Sequence, residues 1–116
     1  MTLRWAARLL FVVAIVLITD LALQPGTALP PRLFGTDKLE HFAAFMALAI
    51  LARVACPNLA RSITGIVLLV YGGGIEWLQD IGSSGRTASL ADFLADAIGV
   101  ICGLLVAWWA GTRSRH

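Results

Sequence analysis

Four long apolar segments constrain this chain more than any other feature of its sequence. They cover residues 5–23, 37–55, 62–80 and 90–110 of a chain of 116 residues. An α-helix rises ~1.5 Å per residue, so about 20 apolar residues cross the ~30 Å hydrocarbon layer of a bilayer. The apolar residues do not alternate with polar ones, as the strands of a membrane barrel require. The segments therefore predict an all-α membrane protein, a bundle of four transmembrane helices.

The composition agrees with this prediction and leaves no room for a second domain. Hydrophobic residues make up 59% of the chain and charged residues only 14%, whereas soluble domains carry about 25% charged residues. Turn-forming residues follow the segments, at Pro25-Gly26, at Pro57 and around Gly82. We expect residues 1–116 to form a single domain. We also expect its first segment to be a retained helix, because that segment is longer than an ordinary signal core.

The basic and acidic residues divide between the two sides that such a bundle would have. With the N-terminus inside, the cytoplasmic side carries six of the nine basic residues and no acid: Arg4, Arg8, Arg53, Arg61, Arg113 and Arg115. The outer side carries all seven acids: Asp20, Asp37, Glu40, Glu76, Asp80, Asp92 and Asp96. An excess of Lys and Arg in short loops marks the cytoplasmic side. The pattern predicts an inner-membrane protein with both termini in the cytoplasm.

Ionisable side chains inside the apolar segments are the candidates for function, because such groups are costly in hydrocarbon and usually face a bundle interior. His41, Glu76 and Asp96 each lie fourteen residues from the inner end of their segment. That distance is about 21 Å along a helix, which predicts one common depth for all three near the outer surface. We take them as candidate catalytic residues as well as candidate ligands of a bound molecule.

Helical spacing extends this level into faces. Lys38 lies three residues from His41, Gln79 three from Glu76 and Asp92 four from Asp96, so each pair shares a helix face. Gly72, Gly99 and Gly103 lie on the same faces and predict close helix packing. Arg86 follows in the loop before the fourth segment. The predicted ligand-binding residues are Lys38, His41, Glu76, Gln79, Arg86, Asp92 and Asp96.

These residues resemble the motifs of the VanZ-like family of small bacterial membrane proteins. Asp37-Lys38-x-x-His41-Phe42-x-x-Phe45 is similar to the first motif of that family. The second is similar to Gly74-x-Glu76-x-x-Gln79, followed by Arg86 and then by Asp92-x-x-x-Asp96-x-x-Gly99-x-x-x-Gly103. The resemblance implies a bacterial cell-envelope protein of the cytoplasmic membrane. It also implies a link to resistance against teicoplanin-type glycopeptides, which many members do not share.

Several functions remain open at this stage. The first is an outward-facing pocket for an envelope lipid or a glycopeptide, with Lys38 and Arg86 taking an anionic group. The second is an enzyme that uses His41 or a carboxylate as general acid or base. A purely structural ion-pair network is the third, and a small transporter, which would require a dimer or larger homo-oligomer, is the fourth.

The sequence argues against other partners and groups. A metal ion held by His41, Glu76 and Asp96 is conceivable, yet no two-histidine motif supports one, so we expect no metal and no cofactor. Nucleic-acid binding is not expected, because the basic residues are few and form no cluster. The bilayer itself is the one partner that the composition requires.

Overall fold

A computed structural model describes residues 2–23, 37–81 and 90–114 of the chain. These residues form four α-helices, α1 (Leu3–Leu23), α2 (Asp37–Ala55), α3 (Arg61–Ile81) and α4 (Leu90–Ser114), and none of them forms a strand. The prediction of an all-α protein with four helices is thereby confirmed for this part of the chain.

The helix ends lie close to the predicted ones, with α4 as the main difference. α1 begins at Leu3 because Thr2 caps it, its side-chain oxygen accepting a bond from the Trp5 backbone N–H at 3.3 Å. α4 continues through Gly111 to Ser114, past the predicted end at residue 110. A glycine lowers helix stability by about 1 kcal/mol and does not by itself end a helix, so α4 continues through Gly111.

α2 lies at the centre of the bundle. It contacts each of the other three helices, whereas α1 and α4 do not contact each other within the described residues. The buried core consists of Phe45, Leu48 and Ala49 of α2 with one residue each from α3 and α4, Leu68 and Val100. α1 joins this core through side chains that include Phe11 and Ile15. Because α2 is covered on several sides, its polar residues can face other helices instead of the surroundings.

α2 and α4 run parallel and pack with their backbones close together. Lys38 of α2 lies near Asp92 of α4, and Ala49 lies near Gly103 further along both helices. A Cβ atom added at Gly103 would lie only 2.6 Å from the Met46 carbonyl oxygen. The contact is therefore open only to a residue without a side chain, which is the usual role of glycine between closely packed membrane helices.

Arginine side chains hold the end of the bundle where α2 stops. Arg8 of α1 donates to the carbonyl oxygen of Ala55 at 3.0 Å. Arg53 donates to the carbonyl oxygens of Pro57 and Leu59 and, at 3.2 Å, to the hydroxyl of Thr64. The last carbonyls of a helix have no partner within the helix, and cations are favourable beside them. This end of the molecule is thus basic and carries its own helix caps.

The outer surface of the bundle is apolar. Leu9, Val16 and Leu17 of α1 are more than half exposed, as are Ile66 and Val70 of α3. α4 exposes a similar set: Leu90, Leu94, Ile98, Ile101, Leu105 and Trp109. Water-soluble monomers rarely expose apolar patches larger than a few hundred Å². Large apolar side chains on three helices therefore indicate an apolar environment.

By length and composition, two helices of the described residues could cross a membrane, Leu3–Leu23 and Leu90–Gly111. α2 is not among them because its charged residues, which include Lys38, Glu40 and Arg53, interrupt its apolar stretch. These two helices support the prediction that the protein associates with a membrane.

Candidate functional site: a polar cluster among three helices

Five ionisable side chains meet at the end of the bundle opposite the arginine-capped end of α2. Two come from α2, one from α3 and two from α4: Lys38, His41, Glu76, Asp92 and Asp96. We call them the polar cluster. The three acidic residues are each at most 7% exposed as whole residues. Charged groups buried to this extent are costly and occur where they are paired or hold a ligand.

His41 and Asp96 form the shortest polar contact in the cluster. His41 Nδ1 lies 2.7 Å from Asp96 Oδ1, and Asp96 is 1% exposed. An ionised Asp96 only accepts hydrogen bonds, so with Asp96 in that form the Nδ1–H group of His41 is the donor in this contact. The neutral imidazole then has its lone pair on Nε2, on the opposite edge of the ring. Asp96 therefore sets both the tautomer and the orientation of His41.

Gly72 of α3 provides the space for this pair. A Cβ atom added there would lie 3.0 Å from Asp96 Oδ2 and 3.3 Å from the ring of Phe45. These separations are shorter than ordinary van der Waals contacts, so a side chain at position 72 would displace the carboxylate or the ring. The position of the Asp96 carboxylate therefore depends on Gly72 of α3 having no side chain.

Asp92 lies on the other edge of the His41 ring and forms the entrance to the cluster. Its Oδ2 is 4.0 Å from His41 Nε2, and its Oδ1 is 3.8 Å from Lys38 Nζ. The side chain of Lys38 is 61% exposed while that of Asp92 is 9% exposed. Lys38 therefore stands at the rim, and the interior of the cluster is lined by the imidazole and the carboxylates.

Glu76 completes the cluster from α3. One of its carboxylate oxygens, a nitrogen of His41 and an oxygen of Asp92 all lie within 4.8 Å of one another. Three helices thus direct ligand atoms toward one small volume. Among the described residues, three carboxylates face one lysine and one histidine, which suits a cation or the hydrogen-bond donors of hydroxyl, amide and ammonium groups.

The structure brings together five of the seven side chains that the sequence suggested as ligands. The common depth of His41, Glu76 and Asp96 was predicted, and these residues lie in one cluster. Asp92 rather than Asp96 shares the small volume with Glu76 and His41, while Asp96 contacts the far edge of the imidazole. The side chain of Gln79 and the whole of Arg86 lie outside the described residues.

Two polar contacts near the middle of the bundle were not anticipated from the sequence. The Tyr71 hydroxyl lies 2.6 Å from the hydroxyl of Thr19 and donates to the carbonyl oxygen of Ile15 at 3.3 Å. The ring of Tyr71 packs against Phe45, with 5.8 Å between centroids. A buried tyrosine usually has a hydrogen-bond partner. The tyrosine inside an apolar segment was therefore a signal from which such a contact could have been predicted.

An apolar groove runs along α2 away from the polar cluster. Its volume is about 320 Å³, and it is lined by Leu39, Phe42, Ala43, Met46, Ala47 and Ile50. At ~1.5 Å per residue the groove follows α2 for about 16 Å. Leu39 and Phe42 are the chain neighbours of Lys38 and His41, so one end of the groove lies at the level of the cluster.

Comparisons with known proteins add no relative: no family model matches this chain, and neither a curated protein nor a solved structure does.

Proposed function

We propose that this chain is a multi-pass membrane protein whose four helices all span the bilayer, with both termini in the cytoplasm. The apolar exposed faces of α1, α3 and α4 support four spans, because α2 lies between them and needs less apolar surface of its own. The orientation follows from the arginines around the end of α2, which the positive-inside rule assigns to the cytoplasm. The polar cluster then lies toward the outer surface.

The function that we propose for the polar cluster is to bind a component of the cell envelope. The observation that carries this proposal is the burial of Glu76, Asp92 and Asp96 around His41 inside a molecule with an apolar exterior. Intramembrane ionisable groups of this kind most often mark a substrate or ligand site. Three like charges in one volume are poorly suited to a purely structural role.

A ligand with a polar head and an apolar chain fits the surface beside the cluster. The head would place hydroxyl or amide donors against the carboxylates and an anionic group near Lys38 at the rim. The groove that begins at Leu39 and Phe42 would hold the apolar chain. A lipid-linked cell-wall precursor has both parts, and we favour it as the ligand.

The resemblance of the two sequence motifs to VanZ-like proteins supports the same setting. It favours the cytoplasmic membrane of a bacterium and a role in the envelope, with teicoplanin-type resistance as one outcome of binding. The residues that carry the resemblance and that the structure describes include Lys38, His41, Glu76, Asp92 and Asp96. These are also the residues of the polar cluster.

Thermal unfolding of the purified protein in lipid nanodiscs tests binding directly. We expect a lipid-linked cell-wall precursor to raise the unfolding temperature, since a ligand at about 100 times its Kd stabilises a protein by about 2.7 kcal/mol. The shift should shrink in graded steps in Lys38→Ala, Glu76→Gln and Asp92→Asn. Glu40→Gln provides the matched control, because it removes a carboxylate next to His41 that is not part of the cluster.

Two results would count against the binding proposal. One is the absence of any shift with lipid-linked precursors or with teicoplanin. The other is a shift of equal size in wild type and in all three cluster variants, which would assign binding to another surface.

Catalysis is the second candidate, and the His41–Asp96 pair is the observation that favours it. A histidine whose Nδ1–H donates to a buried carboxylate is held as general bases are held in many hydrolases. An enzyme would lose nearly all turnover in His41→Gln while still binding its substrate. A binding protein would show no turnover of the precursor in wild type and a partial loss of affinity in the variant.

A further inference from the structure

We propose that the polar cluster holds a divalent transition-metal ion of the Zn²⁺ class, with His41, Glu76 and Asp92 as its ligands and Asp96 as a positioning residue. The inference rests on the proposed function, because it takes the cluster to be a working site. The sequence led us to expect no metal. The conceivable ligand set named there was His41, Glu76 and Asp96, whereas the set proposed here has Asp92 in place of Asp96.

The distances fit an ion that bridges the three side chains. His41 Nε2 and Asp92 Oδ2 are 4.0 Å apart, which is too far for a hydrogen bond. In a tetrahedral site with metal–ligand bonds of about 2.1 Å, two ligand atoms lie about 3.4 Å apart, so one ion can bridge this pair once the two side chains approach each other by roughly 0.6 Å. A carboxylate oxygen of Glu76 lies within 4.8 Å of both residues, and a small movement of its side chain brings it into the same coordination sphere.

The contact between His41 and Asp96 is the arrangement that supports a metal-bound histidine. Metal-ligating histidines donate their other ring N–H to a carboxylate or a carbonyl, which fixes the tautomer and raises the basicity of the ligand nitrogen. Here Nδ1 contacts Asp96 Oδ1 at 2.7 Å, and Nε2, the nitrogen left to bind a metal, lies 4.0 Å from Asp92 Oδ2.

The donor set selects the class of ion. Imidazole suits zinc and the neighbouring transition metals, whereas Mg²⁺ and Ca²⁺ prefer oxygen ligands alone. One nitrogen and two carboxylates leave at least one coordination position for water or for a ligand.

A bound ion also changes what the pocket can accept. The three buried carboxylates repel an anionic group, and of the described residues Lys38 places one positive charge beside them. A divalent ion would add two more and present an open position to an anionic group, such as the phosphate of a lipid-linked precursor. The metal site therefore explains how an acidic cluster would receive an anionic ligand.

Competition against a chromophoric chelator, with Zn²⁺ as the probe and purified full-length protein in detergent, tests the inference. We expect one Zn²⁺ per chain, with affinity at least about tenfold weaker in His41→Gln, Glu76→Gln and Asp92→Asn. Loss of the positioning residue in Asp96→Asn should weaken affinity by about 10- to 100-fold. Glu40→Gln and Cys56→Ser should bind as wild type does, since neither side chain belongs to the cluster. Size-exclusion profiles identify any variant that fails to fold, and at least two folded cluster variants decide the result.

The proposal is overturned if wild type takes up no Zn²⁺, or if the folded cluster variants bind Zn²⁺ as tightly as wild type. The lipid shift described above separates the two proposals. The protein could bind no Zn²⁺ and still be stabilised by the precursor in a way that depends on Asp92. This result would overturn the metal proposal and support the binding proposal. Zn²⁺ binding that depends on the cluster, with no change in unfolding temperature on adding the precursor, would support the metal site and count against the envelope ligand.

Discussion

Asp96 shows how a charged side chain is kept inside this bundle. Its carboxylate contacts His41 Nδ1 at 2.7 Å, and the space for its second oxygen exists because Gly72 has no side chain. A buried carboxylate that lost such a partner would be strongly unfavourable. At the scale of single residues, the site therefore depends as much on the glycine opposite the carboxylate as on the carboxylate itself.

We predict that Gly72→Ala disturbs the cluster while Gly74→Ala does not. The added methyl group at position 72 would crowd Asp96 and Phe45, and overpacking of this kind costs about 1–3 kcal/mol. A methyl group at position 74 meets nothing within 4 Å, so this variant should be as stable as wild type or slightly more stable. Thermal unfolding of the two variants in detergent is the measurement. Equal stability of both would contradict the close approach of α3 to Asp96.

The sequence predicted which residues lie together but not which atoms face each other. Equal spacing from the helix ends placed His41, Glu76 and Asp96 at one depth, because helix rise is constant. The partner of each ring nitrogen depends on the rotation of α2 about its axis and on side-chain rotamers, which spacing does not determine. For this reason the exchange of Asp92 for Asp96 beside Glu76 appeared only in the structure.

The contact between α2 and α4 organises the elements. It brings Lys38 and His41 beside Asp92 and Asp96, and it depends on Gly99 as well as on Gly103. A Cβ atom at Gly99 would overlap the carbonyl oxygen of Phe42 and lie 3.1 Å from the Met46 nitrogen. Both glycines approach backbone atoms, which cannot rotate away as side-chain atoms can.

We predict that Gly99→Ala and Gly103→Ala each destabilise the bundle by about 1–3 kcal/mol, because α4 must shift away from α2. Gly111→Ala on the same helix provides the control, since a Cβ atom there meets nothing within 4 Å. Thermal unfolding compares the three variants. Alanine is the better helix former, so equal destabilisation of Gly111→Ala would contradict the assignment of the loss to close packing at Gly99 and Gly103.

The helices themselves were largely predictable, because long apolar segments and the turn residues between them mark each one. The small-residue pattern of α4 likewise predicted a packing face. The pairing of that face with α2, and the central place of α2, could not be predicted from periodicity. They depend on which apolar faces fit one another in three dimensions.

At the scale of the whole molecule, the charges separate along the bundle. The arginines Arg8 and Arg53 bind carbonyl oxygens at one end, and the polar cluster occupies the other. In our account this asymmetry sets the orientation in the membrane, as the distribution of basic residues in the sequence also predicted.

Cysteine labelling with a membrane-impermeant maleimide checks this orientation. Cys56 is exposed and follows directly after α2 at the basic end. We expect it to react only after the membrane is permeabilised. Leu90 is 75% exposed at the start of α4, so the cysteine introduced by Leu90→Cys, in a Cys56→Ser and Cys102→Ser background, should react in intact cells. The opposite labelling pattern would invert the proposed topology. If both sites reacted in intact cells, they would lie on the same side of the membrane. The single span by α3 that we propose between them would then be wrong.

The most direct test of the central claim, that the polar cluster is a working site, is thermal unfolding in metal-free detergent solution. The proteins to compare are wild type, Glu76→Gln, Asp92→Asn and, as a structural reference outside the cluster, Tyr71→Phe. Our account predicts that both cluster variants remain folded, with equal or higher unfolding temperatures, because each removes one of three like charges held together at a cost to stability. Tyr71→Phe should lose about 1 kcal/mol with its hydrogen bond. Cluster variants that fail to fold, or that lose about 3 kcal/mol or more as broken structural ion pairs do, would contradict the account.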